Sequence, residues 1–357
     1  MVWYCTRESV KTALDEFETA RTNAQIDDAI AQGAVDILGL THRPDGFAPL
    51  TATRYFDYPS RTTRGPSWRL RFGEHRALSL TSVTVSNGAT VLAPSVYSLE
   101  PANSGPPYSR LEINLGGPGA LSSGSTWQRA IACTGLWGWT AERVQVATLS
   151  STLAASTTAS ASMTWSTARF GVGDVLWVDD ERMIITERSF VDSAQDLLGD
   201  LDDASSAVSI AVTDGTAFAV EEIIMVGAER MRIVSIAGNA LGVIRAWDGS
   251  QQAAHTTGDS IYALTGVELQ RAVLGTTLAS HSSSTAVYRW VPPPLLATLN
   301  RAYALNALLQ ERSGWARTVQ TSQDTVLEVS GRGIRKLEAD VVQAYGRQMR
   351  HRAIVGS

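Results

Sequence analysis

The chain has 357 residues, 44 % apolar and 18 % charged, with a net charge of −5. That length suits two or three domains of ordinary size, and the mild acidity argues against a protein that coats DNA. The two cysteines, Cys5 and Cys133, lie far apart, which excludes a disulfide framework and fits small buried apolar side chains in a reducing place of assembly.

The opening MVWYCTRESV has no apolar run of signal-peptide length, so no export is expected. No stretch approaches the ~18 uninterrupted apolar residues of a membrane span. Residues 1–40 read as helical. Thr6 can cap a helix in which Val10, Ala13, Leu14 and Phe17 share one face. Thr22-Asn23-Ala24-Gln25 reads as a capping box that opens a second helix. Ile26, Ala29, Ile30, Gly33, Ala34, Ile37 and Leu38 follow along one face, and Gly39 is the expected stop. Each helix carries a single apolar stripe and must pack on something else.

Residues 41–147 read as a β-rich extension, punctuated by Pro44, Gly46, Pro59, Gly65, Pro66 and Gly73. Leu80, Val83 and Val85 alternate with Ser and Thr before the hairpin turn Asn87-Gly88. Strands are expected around Val96–Leu99, over Leu111–Leu115, and from Ile131 into Trp137-Gly138-Trp139. Residues 148–290 read as a further all-β region, a small barrel or sandwich. It opens on a Ser/Thr/Ala tract, 150–162, expected to be a linker or solvated edge. Within it, Phe170–Thr186 and Phe218–Val234 align without gaps at an offset of 48, sharing Glu-Arg-Met at 181–183 and 229–231. Two copies are too few for a solenoid and suit a duplicated hairpin unit. Residues 291–357 return to helix. Pro292-Pro293-Pro294 marks the start, Leu295, Leu299, Ala302, Tyr303, Asn306 and Leu309 form a stripe, and Leu296, Leu305 and Leu308 broaden it, so burial on more than one side is expected. An end is expected near Gly314. A loop over about 318–333 is expected next, then a short helix with Leu337, Val341 and Tyr345, then an exposed tail from Met349. The fold class expected is therefore α+β: a bundle built from both chain ends, with a β extension and an inserted all-β domain.

Sites of chemistry are sparse. His42, His75, His255, His281 and His351 show no metal-ligand spacing and read as surface or hydrogen-bonded histidines. There is no nucleophile elbow and no phosphate loop, and Gly116-Gly117-Pro118-Gly119 reads as a turn. Asp179-Asp180-Glu181 and Asp200, Asp202, Asp203 lack the glycine and terminal glutamate of a calcium loop, and solvated loops are expected there. No cofactor, no metal and no catalytic residue is expected. The ten tryptophans are many. Because interfaces favour Trp, Trp3, Trp137, Trp139 and Trp315, which sit at segment boundaries, are candidate subunit contacts. Positive charge gathers at residues 61–76 and at 331–357, where Arg347, Arg350 and Arg352 can meet an acidic partner or touch phosphates.

The order of these motifs resembles the head-to-tail adaptor (connector) family of long-tailed phages. The resemblance runs through Tyr4-Cys5-Thr6-Arg7-Glu8, the strand text from Leu80 to Gly88, Val96 to Glu100, Pro106 to Ile113, and Thr134 to Trp139. It resumes in the leucine-rich helix 295–312 and in Glu338–Tyr345, covering about 1–147 and 291–357. Family members pass directly from the Trp-Gly-Trp strand into the helix, whereas about 140 residues intervene here. The resemblance implies a virion structural protein, not an enzyme, assembled in the host cytoplasm. It implies a ring, typically of twelve copies, beneath the portal protein. That ring extends the DNA channel and offers a platform to a stopper or tail terminator protein. It also implies portal contact through the C-terminal segment, carried here to Arg347, Arg350, Arg352, Ile354 and Val355. A second reading makes the chain a tail or baseplate adhesion protein whose 148–290 module stacks tryptophans on host glycans. A wall hydrolase would need a carboxylate pair in a cleft, which the sequence alone does not locate.

Overall fold

The computed structural model describes residues 1–14, 22–43, 45–59, 68–156, 158–162, 170–204, 209–312 and 324–346. Among the described residues, four helices lie toward the two ends of the chain: α1 (Arg7–Ala13), α2 (Asn23–Thr41), α3 (Pro294–Arg312) and α4 (Asp324–Tyr345). Both expected N-terminal caps form. Thr6 and Thr22 each accept a backbone N–H three residues on, and Ser9 and Gln25 answer to the cap backbone. α1 ends at Ala13, with Leu14 extended, so the expected stripe stops short of Phe17, which lies outside the described residues. α2 runs past Gly39 to Thr41 and closes on His42 in the left-handed region (φ 53°). Leu40 packs into the adjacent core, and that burial draws the helix on beyond the expected stop. α4 begins at Asp324, where a loop to about 333 was expected. Among the described residues, no helix is long and apolar enough to cross a membrane.

The two chain ends meet. Ile26, Ile30 and Val10 share a core with Ala304 and Leu308. Ala34 and Ile37 share another with Leu296, Leu299 and Val341. Each such aliphatic side chain, taken fully out of water, contributes roughly 1.5–3 kcal/mol. Neither end has enough apolar surface to do this alone.

The extension contains β1 (Leu50–Phe56), β2 (Arg69–Arg71), β3 (Ala77–Val85), β4 (Thr90–Leu92), β5 (Tyr97–Glu100), β6 (Arg110–Ile113) and β7 (Ile131–Trp137). They make a four-stranded antiparallel sheet, β1-β7-β3-β4, and a three-stranded one, β2-β6-β5. The Asn87-Gly88 turn forms as read, with Ser86 and Asn87 both at positive φ. Trp137, Phe72, Leu111 and Val83 centre the core between the sheets.

The remaining strands join one antiparallel sheet of ten: β8 (Arg143–Thr148), β9 (Thr158–Ser162), β10 (Val175–Val178), β11 (Glu181–Asp196), β12 (Ser209–Ala211), β13 (Ile223–Val226), β14 (Glu229–Ala237), β15 (Ala240–Ile244), β16 (Ser260–Gln270) and β17 (Ala286–Trp290). It wraps two separate cores, one around Leu176, Met183 and Val287 and the other around Ile224, Met231 and Ile261. The duplication is nested. The second copy, about 197–259, is inserted between β11 and β16 of the first. Upstream of the insertion the copies are offset by 48 residues, and downstream by 26. Thus Leu176 pairs with Arg289 as Ile224 pairs with Ala263, and Leu153 bridges His281 as Leu201 bridges His255. Two expectations change. The first copy begins at β8, so a boundary at 147/148 cuts through a strand. Of the two forms expected for the Ser/Thr/Ala tract, the linker gives way to an edge strand, because β9 pairs with β16, its one partner among the described strands, and Leu153 is buried.

Candidate functional site

A box of aromatic rings surrounds the end of α4. Gly46, in the left-handed region (φ 72°), turns the chain so that Phe47 enters the bundle. Phe47 stands 5.9 Å from Trp139 and 5.6 Å from Tyr345, and Trp139 meets Tyr345 edge-on at 5.4 Å. The Arg43 guanidinium lies 4.6 Å over Trp139, and its Nη2 donates to the Tyr345 carbonyl at 2.6 Å. Tyr345 is the last residue of α4, so Arg43 supplies a donor to one of the carbonyls that a helix end leaves without an intrahelical partner, and it adds positive charge at the negative end of the helix dipole. Gly346 (φ 71°) bonds back to Val342 and ends the helix. Burial lowers the Arg43 pKa to about 10, with Arg76 nearby adding to the effect, and it stays charged at neutral pH.

The structure separates the expected contact residues. Arg347, Arg350, Arg352, Ile354, Val355 and Trp315 lie outside the described residues. Trp139 belongs to the aromatic box. Trp3 is half-buried and packs against the bundle cores and the first β module together. Gly173 permits this, since a Cβ there would stand 2.2 Å from the Trp3 ring. Trp137 is 1 % exposed, and its indole N–H donates to the Ala52 carbonyl, which assigns it to the interior of the extension rather than to a surface.

Polar devices join the parts and lock their loops. The first is Asn300, fully buried on α3. Its Oδ1 accepts the Tyr4 N–H at 3.0 Å, and its Nδ2 donates to the Ile30 carbonyl at 2.9 Å. Gly33 is what lets α2 approach, since a Cβ there would lie 2.8 Å from Asn300 Nδ2. The second is Arg182, which reaches out of the first β module to the Pro49 carbonyl (2.7 Å) and to Thr51 Oγ1, while the Leu274 carbonyl accepts the Thr51 N–H. This ties the extension to the inserted region.

The third device occurs twice. Glu181 accepts from Arg271 Nε and Nη2, from the Ala272 and Ala279 N–H groups, and from His281 Nε2. Glu229 accepts from Arg245 Nε and Nη2, from the Ala246 and Ala253 N–H groups, and from His255 Nε2. Both carboxylates are buried, so Glu181 is not the solvated-loop residue expected. Burial by itself would raise their pKa values, but the Arg and His donors win. Glu181 is held down to about 2, and Glu229 is lowered for the same reasons. A carboxylate held ionised this way locks a loop; it is not a proton donor near neutral pH.

A cleft of about 720 Å³ opens between α1 and the two modules, lined by Glu8, Asp174, Arg188, Arg230 and Trp247 among others. Burial pushes the Asp174 carboxyl up to about 7 against the pull of Arg289 and the Gly171 N–H. Reading the sequence missed Asp174, Arg182 and Asn300. It also missed the Arg-Glu-His networks, whose signal is the shared spacing Arg245…Ala253-x-His255 and Arg271…Ala279-x-His281.

Compared with known proteins, the chain matches no family model and no curated protein.

Proposed function

We propose that this chain is a structural subunit of a tailed-phage particle, a head-to-tail adaptor that forms a ring under the portal. The observation that carries the reading is the shared core of α2 and α3, closed by Asn300, from which both β regions project. A bundle that joins both chain ends can sit beside copies of itself in a closed ring, presenting heterologous side faces. The basic C-terminal segment that follows Gly346, with Arg347, Arg350, Arg352, Ile354 and Val355, would meet the portal. The net charge of −5 suits a lumen through which DNA must slide without being held. The opposite face would receive the stopper or tail terminator protein. The glycan-adhesion reading finds less support. Among the described residues of 148–290, Trp290 is 1 % exposed, Trp247 is 6 % exposed with Arg232 over its ring, and Trp177 lies beneath Arg143 and Arg182. The test is negative-stain imaging of portal mixed with the purified chain. An added ring beneath the portal is expected, and unchanged portal particles would overturn the proposal.

A further inference from the structure

The nested duplication gives the molecule two copies of one docking seat, of which the first is filled by the chain itself. In the first module, the loop after Arg271 turns through Ala272, Leu274 and Gly275, all at positive φ (54°, 54° and 74°). It is pinned by Thr276 Oγ1, which accepts the Arg182 N–H and donates to the Val273 carbonyl. Onto this loop the extended segment Pro49–Thr51 is laid, held by the Arg182 guanidinium and the Leu274 carbonyl. A Cβ on Gly275 would fall 1.9 Å from the Thr51 carbonyl oxygen, so glycine is required for the strand to approach.

The second module repeats the seat residue for residue. Ala246, Asp248 and Gly249 take φ values of 53°, 55° and 75°. Ser250 Oγ accepts the Arg230 N–H and donates to the Trp247 carbonyl. Arg230 stands where Arg182 stands, and the Asp248 carbonyl where the Leu274 carbonyl stands. Instead of gripping a strand, the Arg230 side chain is 42 % exposed and its Nη1 meets Asp248 Oδ2, while Lys11 holds the other carboxylate oxygen. The seat opens into the cleft of about 720 Å³, within the usual size range of binding sites.

We infer that the Arg230–Gly249 seat receives an extended segment of another polypeptide. Its chemistry is that of residues 49–51: a backbone carbonyl for the arginine, then two residues later a hydroxyl side chain whose N–H meets the carbonyl of Asp248. Asp248 holds Arg230 in place until that carbonyl and hydroxyl take over. This is strand capture through main-chain bonds, with one arginine fork adding selectivity. It stands independently of the ring reading.

The test uses the full chain and a fluorescent synthetic peptide of residues 46–54 as the probe. Saturable binding by anisotropy is expected. Arg230→Ala should weaken it at least tenfold, and so should Arg230→Lys, because an ammonium cannot span both acceptors. A peptide carrying Thr51→Val should bind correspondingly worse. The thermal midpoints of both protein variants, which alter a partly exposed side chain, should stay close to wild type. Three results would each overturn the inference: no saturation at millimolar peptide, binding indifferent to both Arg230 variants, or binding lost only in Arg182→Ala, which would place the peptide at the first seat.

Discussion

Replacing Glu229 by Gln tests whether the second module is a nested unit with its own lock. The side chain of Glu229 is fully buried and that of Arg245 is 4 % exposed. The substitution leaves the arginine without its counter-charge and removes an acceptor from the Ala246 and Ala253 N–H groups and His255. Breaking a buried pair from one side costs about 3–5 kcal/mol. That cost falls on the opening of residues 197–259, because among the described residues the module joins the rest chiefly through β11 and β16, with Lys11 to Asp248 as a partly exposed ion pair beside them. Native-state hydrogen exchange should therefore speed up by roughly 100-fold or more over β13, β14 and β15, at about tenfold per 1.4 kcal/mol. Amides of α2 and α3 should exchange as in wild type. Glu181→Gln should behave differently: the first module frames the second and grips β1, so exchange should rise in both modules and at Pro49–Thr51. The acid limb follows the same logic. A carboxylate with a depressed pKa stabilises fully above its ordinary value of 4.5, and the contribution of Glu181 should be lost as pH falls through about 2. Uniform acceleration across the molecule in Glu229→Gln, or none anywhere, would refute the nested-lock reasoning.

Gly33→Val should drive α2 from α3, since its Cβ meets Asn300 Nδ2 and the Tyr303 Cβ at 2.8 and 3.0 Å; a loss of about 1–3 kcal/mol in a denaturant titration is expected, and an unchanged midpoint would contradict the packing. Arg43→Ala should cost about 1–3 kcal/mol by leaving the Tyr345 carbonyl short of a donor, seen as faster exchange confined to the last turn of α4. Asp174 has the opposite pH sign to Glu181. Its pKa is raised from 3.8 to about 7, so the folded state binds more protons and stability falls as pH rises through that window. Asp174→Asn should therefore gain on wild type between pH 4 and pH 8, by up to about 4 kcal/mol, and a pH-independent difference would refute the assignment.

Much of this was legible in the residues. The capping boxes at Thr6 and Thr22 and the Asn87-Gly88 hairpin are local devices, and local chemistry decides them. The stripes on α2 and α3 pointed to a shared core because neither helix could bury its face alone. What failed was decided at a distance. Gly39 did not stop α2, because Leu40 has a core to join. The Ser/Thr/Ala tract took the edge form rather than the linker form of its two expected ones, because β16 offers it a ladder. The offset of 48 was visible, but the first copy is interrupted by the second, so the matching Arg and His positions recur at 26, and only pairing in space reveals them. Asn300 gave no signal at all; its two partners, at Tyr4 and Ile30, lie far back along the chain.

The proposal of a neck ring is tested most directly by a reconstruction of the head-tail junction of the particle that carries this chain. The expected density is a closed ring of copies below the portal, with α2 and α3 side by side around the channel and residues after Gly346 reaching upward. Density for the chain at the tail tip or baseplate, or a neck built without it, would contradict the account.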